Sequence, residues 1–233
     1  MYTNFKIKPP FFEIGPKAYL YGDEMLKLAR VIDRVAMKYD VDIIVTPQYT
    51  DIRLLAENTE RILVFAQHMD YLHVGRGLGS VLPEAVKAAG AAGVMLNHAE
   101  KKLTLDVVEK TIRRADEVGL ATIVCADTIE ELTAVAKLSP NLVVAEPTEL
   151  IGTGRTSGSN YVKAAIETVR SINPDIMVLQ GAGISNGRDV YNTIKLGAQA
   201  TGSTSGIIKA ADPGAMVEEM IYSLRKAWDE LHH

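Results

Sequence analysis

Short apolar runs alternate along this chain with longer stretches whose apolar positions recur every three or four residues. The runs read as buried β-strands over residues 11–15, 42–46, 62–66, 93–96, 121–125, 142–145, 176–180 and 200–202. The longer stretches read as amphipathic helices over 23–39, 51–57, 83–89, 105–118, 129–138, 160–172, 187–196 and 213–228. Start and stop signals agree with these limits. Thr104 precedes one helix, Asp212-Pro213 opens the last, and Gly119 and Gly197 fall at C-terminal caps. Eight strands alternating with eight helices imply a parallel sheet covered by helices. Eight such units in 233 residues fit a closed (β/α)8 barrel. An open doubly wound sheet is the rival arrangement. No linker or low-complexity tract divides the chain. One domain is expected over residues 9–231, with residues 1–8 as an N-terminal extension.

Composition narrows the function classes. Hydrophobic residues make up 47% of the chain, enough for a sizeable core, and the net charge is −4. Neither a nucleic acid nor an anionic membrane is favoured as a partner by that charge. Cys125 is the only cysteine, so no internal disulfide can form, and a cytoplasmic setting is expected. The N-terminal residues carry charges and prolines without a long apolar run, unlike a signal peptide. No stretch approaches the ~18 apolar residues of a membrane span. The closing pair His232-His233 reads equally well as a tag remnant and is set aside.

In a (β/α)8 barrel the chemistry lies at the C-terminal ends of the strands. There the sequence places Lys17 after strand 1, His98 and Glu100 after strand 4, and Glu146 after strand 6. Glycine-bearing segments follow strands 6, 7 and 8: Ile151-Gly152-Thr153-Gly154, Gly181-Ala182-Gly183-Ile184-Ser185 and Gly202-Ser203-Thr204-Ser205-Gly206. Taken singly, each has a bland reading: a solvated lysine, a structural histidine, a surface carboxylate, a tight turn. Their convergence on one rim is what carries information. A carboxylate beside an amide-rich loop suits proton abstraction next to a bound phosphate. No His/Cys cluster has metal-ligand spacing and no nucleotide P-loop is present, so no metal or organic cofactor is expected.

Four segments resemble the triosephosphate isomerase family, and most closely its short archaeal-type branch: FAQHMD (65–70), VLPEAVKAAGAAGVMLNHAEKK (81–102), AEPTELIGTG (145–154) and QGAGIS (180–185). NHAEK and EPTELIGTG are the specific ones. The resemblance runs from about Phe11 to the last helix. It implies a TIM barrel that isomerises a small phosphorylated sugar, assembled as a homodimer or homotetramer. It implies that Glu146 takes the proton next to the carbonyl and that His98 is the neutral electrophile, a pairing already established for that family. Lys17 would supply positive charge to the enediolate, with Glu100 as the acidic residue beside it. Gly152, Gly183, Thr204 and Ser205 would bind phosphate through backbone N–H groups. Residues 147–157 would form a lid that excludes water.

Two lysines compete for the strand-1 role. Asn4-Phe5-Lys6 mimics the family's Asn-x-Lys motif, yet only three residues precede it, and the apolar run over 9–15 would be left without a part. Lys17 is therefore the expected site residue. On that registration Gly15 stands where the family has asparagine and Leu78 where it has threonine, two residues that meet across the family's subunit interface. A rebuilt dimer contact is expected. Ala99 replaces a serine, the lid reads Arg155-Thr156-Ser157, and Gln180 with residues 201–204 makes the strand 7–8 rim more polar. Arg76 reads as a surface arginine. These departures spare the base, the electrophile and the phosphate loops. A triose phosphate is the expected substrate, and a tetrulose phosphate is the alternative. A barrel that binds a phosphometabolite without isomerising it, or a Schiff-base aldolase, fits less well.

Overall fold

The computed structural model describes residues 1–232; His233, of the closing histidine pair, lies outside the described residues. Eight strands close into a parallel barrel in sequence order, β1 pairing with both β2 and β8. They are β1 (Phe11–Ile14), β2 (Asp42–Val45), β3 (Leu63–Ala66), β4 (Gly93–Leu96), β5 (Ala121–Ala126), β6 (Leu142–Ala145), β7 (Met177–Gln180) and β8 (Ala200–Ser203). The closed ring excludes the open-sheet alternative. The helices are α1 (Gly22–Tyr39), α2 (Ile52–Ala56), α3 (Pro83–Ala88), α4 (Leu105–Val118), α5 (Ile129–Lys137), α6 (Ser159–Ile172), α7 (Gly187–Lys195), α8 (Ser205–Ile208) and α9 (Pro213–His232). The chain folds as a single (β/α)8 barrel. Among the described residues no helix is long and apolar enough to cross a membrane.

Successive strand residues point alternately into the barrel and out to the helices. Phe11, Ile44, Phe65, Met95, Ile123, Val144 and Leu179 form the inner core. Their alternate neighbours, such as Phe12, Ile43, Val64 and Val143, join the larger core beneath the helices. A Cβ at Gly93 would lie 2.2 Å from the Phe65 ring, so the glycine makes room for the ring that fills the barrel. Phe5 stacks edge-on against Phe65, with ring centroids 5.7 Å apart, and Ile7 joins the same cluster. Residues 1–8 thus run beneath the N-terminal ends of the strands, where the Lys8 amide donates to Asp42 and the terminal amine meets Asp116. Lys6 is exposed at that end.

Helix ends follow the sequence signals with two differences. Gly119 (φ 75°) caps α4, and its amide bonds back to Ala115 and Asp116. Asp212 accepts from the Ala215 amide at the start of α9. Thr104 stands at the N-cap of α4, but its hydroxyl donates to Asp106 rather than accepting from the helix. The four-residue α8 has no counterpart among the expected elements, because so short a helix shows no periodicity.

Candidate active site

A cavity of about 500 Å³ opens at the C-terminal ends of the strands. Lys17, His98, Glu100, Glu146, Gly152, Gly183, Thr204 and Ser205 all line it. The structure therefore brings together every expected site residue, from positions up to 188 apart in the chain. Lys6 does not approach it.

Lys17 follows Pro16 in a left-handed conformation (φ 50°), which costs a non-glycine residue about 1–3 kcal/mol. Two glutamines hold it there. The Lys17 carbonyl accepts from Gln48 Nε2 at 2.7 Å and from Gln67 Nε2 at 3.0 Å. Gln67 also donates to the Thr46 carbonyl, which ties the loops after β1, β2 and β3 together. The Lys17 ammonium is 2.6 Å from Glu100 Oε1. That hydrogen bond holds the Glu100 carboxyl below the usual carboxylate range.

The end of β4 is aimed by Asn97, which is buried and also left-handed (φ 59°). Its side chain donates to the Cys125 carbonyl and to Glu131, and accepts from the Leu103 amide. With its neighbour so anchored, His98 turns into the cavity. His98 Nδ1 accepts from the Glu100 amide at 3.1 Å, which puts the ring proton on Nε2. Burial, and after it the charge of Lys17, holds the imidazole below its ordinary pKa, which favours the neutral ring.

Glu146 continues from β6, its amide bonded to the Ala126 carbonyl. Gly181 makes room for it: a Cβ there would lie 3.0 Å from Glu146 Cβ. Burial pushes its carboxyl above the usual range, opposed by the Lys17 charge. Its Oε2 is 3.7 Å from His98 Nε2. A raised carboxyl beside a neutral imidazole and an ammonium is a set that can take a proton and stabilise the oxyanion left behind.

The glycine-bearing loops after β6, β7 and β8 line the cavity together. Gly183 (φ 73°) packs so closely on the lid segment that a Cβ there would lie 1.9 Å from the Arg155 carbonyl oxygen. Gly154 lies beside Ser185. Ser203 Oγ donates to the Ile184 carbonyl at 2.8 Å, joining the loops after β7 and β8. Thr204 is the N-cap residue of α8, so the loop after β8 delivers Ser205 at a helix start. Among the described residues no cluster of three or more His, Cys, Asp or Glu could hold a metal ion.

The structure revises one expectation and adds to others. Gln180 and Thr201 do not polarise the rim. Both are buried, the Thr201 hydroxyl donates to the Gln180 carbonyl, and the inward positions are taken by Leu179, Ala200 and Gly202. Strand alternation turns the two polar side chains toward the helices. Leu78 and Arg76 stand fully in the open on the loop after β3. Glu13, Thr46, Gln48 and Gln67 are site residues the sequence did not single out. Glu13 lies inside the barrel below Gly15; burial pushes its carboxyl up to about 7, against the Thr46 hydroxyl that donates to it at 3.0 Å. The signal for it was present: a lone carboxylate within the apolar run Phe11-Phe12-Glu13-Ile14, at the inward parity of Phe11.

Known proteins resemble this chain over most of its length. The triosephosphate isomerase family model matches residues 16–220. A triosephosphate isomerase of Sulfurisphaera tokodaii is 38% identical over 96% of this chain and 99% of its own length. One from Methanothermus fervidus is 41% identical over 86% of this chain and 91% of its own. The crystal structure of triosephosphate isomerase from Bartonella henselae superposes with a TM-score of 0.75 at 14% identity, covering 96% of this chain and all of that one, a likeness of fold. The chain belongs to the triosephosphate isomerase family.

Proposed function

We propose that this protein interconverts glyceraldehyde 3-phosphate and dihydroxyacetone phosphate by enediolate proton transfer, without a cofactor. The observation that carries the reading is the meeting of Lys17, His98 and Glu146 in one cavity with the loops after β6, β7 and β8. The substrate phosphate docks on backbone N–H groups of Gly152, Gly183, Thr204 and Ser205. Fixed donors suit a dianion because they need no reorganisation. Residues 147–157 cover the site and exclude water. Glu146 abstracts the proton from the carbon next to the carbonyl. The Nε2–H of His98 and the Lys17 ammonium stabilise the enediolate, and the proton returns to the adjacent carbon. Glu100 positions Lys17.

The active form is a homodimer or homotetramer in this reading, and the cytoplasm is its setting. Support for association comes from the loop after β3, which exposes Tyr71, Val74 and Leu78 together. Residues 1–8 act as an extension that plugs the far end of the barrel.

A turnover panel of triose and tetrose phosphates tests the substrate class. Triose phosphates are expected to be preferred by more than about tenfold in kcat/KM, or roughly 1.4 kcal/mol. A tetrose preference of that size would reassign the enzyme to the longer sugar.

A further inference from the structure

Glu13 is a buried titratable group that lines the cavity and has no part in the chemistry above. It sits on β1 between Phe11, at the bottom of the inner core, and Gly15, at the rim. Two glycines shape its slot. A Cβ at Gly15 would lie 3.1 Å from Glu13 Oε1 and 3.3 Å from Thr204 Oγ1. A Cβ at Gly202 would lie 3.0 Å from Glu13 Oε2. The carboxyl therefore occupies the space that a side chain at residue 15 would otherwise claim, directly beside the loop that leads into α8.

One protein hydrogen bond reaches Oε1, from Thr46. Oε2 faces Gly202, itself part of the cavity lining. The groups around it come from both neighbouring strands and from across the barrel: Lys17 after β1, Cys125 on β5 and Glu146 after β6 are the titratable ones, while Thr46 after β2 and Thr204 after β8 are neutral hydroxyls. Lys17 is already paired with Glu100. Were Glu13 ionised, a phosphate dianion would enter a cavity lined by the carboxylates of Glu13 and Glu146 besides Glu100, which is paired with Lys17. Glu146 must stay ionised to act as base, so Glu13 is the carboxyl that can give up its charge. As a neutral acid it presents one donor and one acceptor and removes its own share of the repulsion.

We propose that Glu13 is a further ligand-contacting residue, which meets the bound sugar phosphate as the neutral acid and donates its hydrogen to a ligand oxygen. The identity of the ligand rests on the isomerase reading. Ligand binding above neutrality then draws one proton from solvent onto Glu13.

The test is calorimetric binding of glycerol 3-phosphate at pH 8, in two buffers of different ionisation heat, which counts protons taken up. At that pH the ligand is already a dianion, and Glu13, which burial pushes up to about 7, is expected to be ionised in the free protein. Wild type is expected to take up at least about half a proton more per ligand than Glu13→Gln, whose amide keeps the shape without the titration. A smaller difference overturns the proposal, as does a wild type that fails to bind. Should Glu13→Gln not fold, Glu146→Gln serves instead: uptake persists there if Glu13 carries the proton and vanishes if Glu146 does. Failure of the isomerase reading shows separately, as an absence of triose phosphate turnover whatever the proton count.

Discussion

His98 Nε2 stands 3.7 Å from Glu146 Oε2, while His98 Nδ1 accepts the Glu100 amide at 3.1 Å. The first distance is too long for a hydrogen bond, so neither group is tied up by the other. The second fixes the tautomer. Burial and the Lys17 charge both oppose a second ring proton, so the imidazole should stay neutral to lower pH than a free histidine. Nitrogen NMR of labelled protein is expected to show His98 as the neutral Nε2–H form at pH 6.5. An imidazolium at that pH would contradict the assignment.

Lys17 and Lys6 occupy opposite ends of the barrel, and only Lys17 reaches the cavity. Lys17→Ala is expected to cost at least about a hundredfold in turnover, the scale for removing a group that stabilises developing negative charge. Lys6→Ala should stay within about twofold. Steady-state assays of the two variants check this, and the reverse order would overturn the role given to Lys17.

Glu13 also makes a prediction about stability. Burial pushes its carboxyl up to about 7 in the folded chain, from 4.5 as the ordinary value. The folded state therefore holds a proton that the unfolded state has released between those two values, and stability falls as pH rises through that window. The full loss above pH 7 is on the order of 3 kcal/mol. Glu13→Gln should remove this slope. Urea unfolding at pH 5 and pH 8 measures it: wild type should lose more stability than the variant between the two, and equal losses would contradict the burial argument.

Gly183 cannot carry a side chain in this arrangement. Its φ is 73°, and a Cβ would strike the Arg155 carbonyl, which is backbone and has no rotamer to change. Gly183→Ala should push the segment over 154–156 away from the loop after β7. KM for the triose phosphate is expected to rise by about tenfold or more while far-UV circular dichroism is unchanged. An unaltered KM would mean that this contact does not serve substrate binding.

The barrel was legible because its signal is repeated eight times over. Runs such as Leu142-Val143-Val144-Ala145 are buried on both faces, and the helices between them carry long apolar stripes. The rim residues were legible by their position just past strand ends. Three things were not. The four residues of α8 carry no period. Gln48 and Gln67 act on the backbone of Lys17 from 31 and 50 residues away, and a glutamine in a loop announces no such partner. Gln180 and Thr201 looked like rim polarity, but a shift of one residue along a strand reverses the face, and the ladder register turns them outward.

The central claim is that Glu146 is the base. Its most direct test is turnover of glyceraldehyde 3-phosphate by Glu146→Gln, which keeps the size and polarity of the side chain and removes its ability to take a proton. The variant should fold as wild type does and lose at least about a thousandfold in kcat. Near-normal turnover by a correctly folded Glu146→Gln protein would contradict the mechanism.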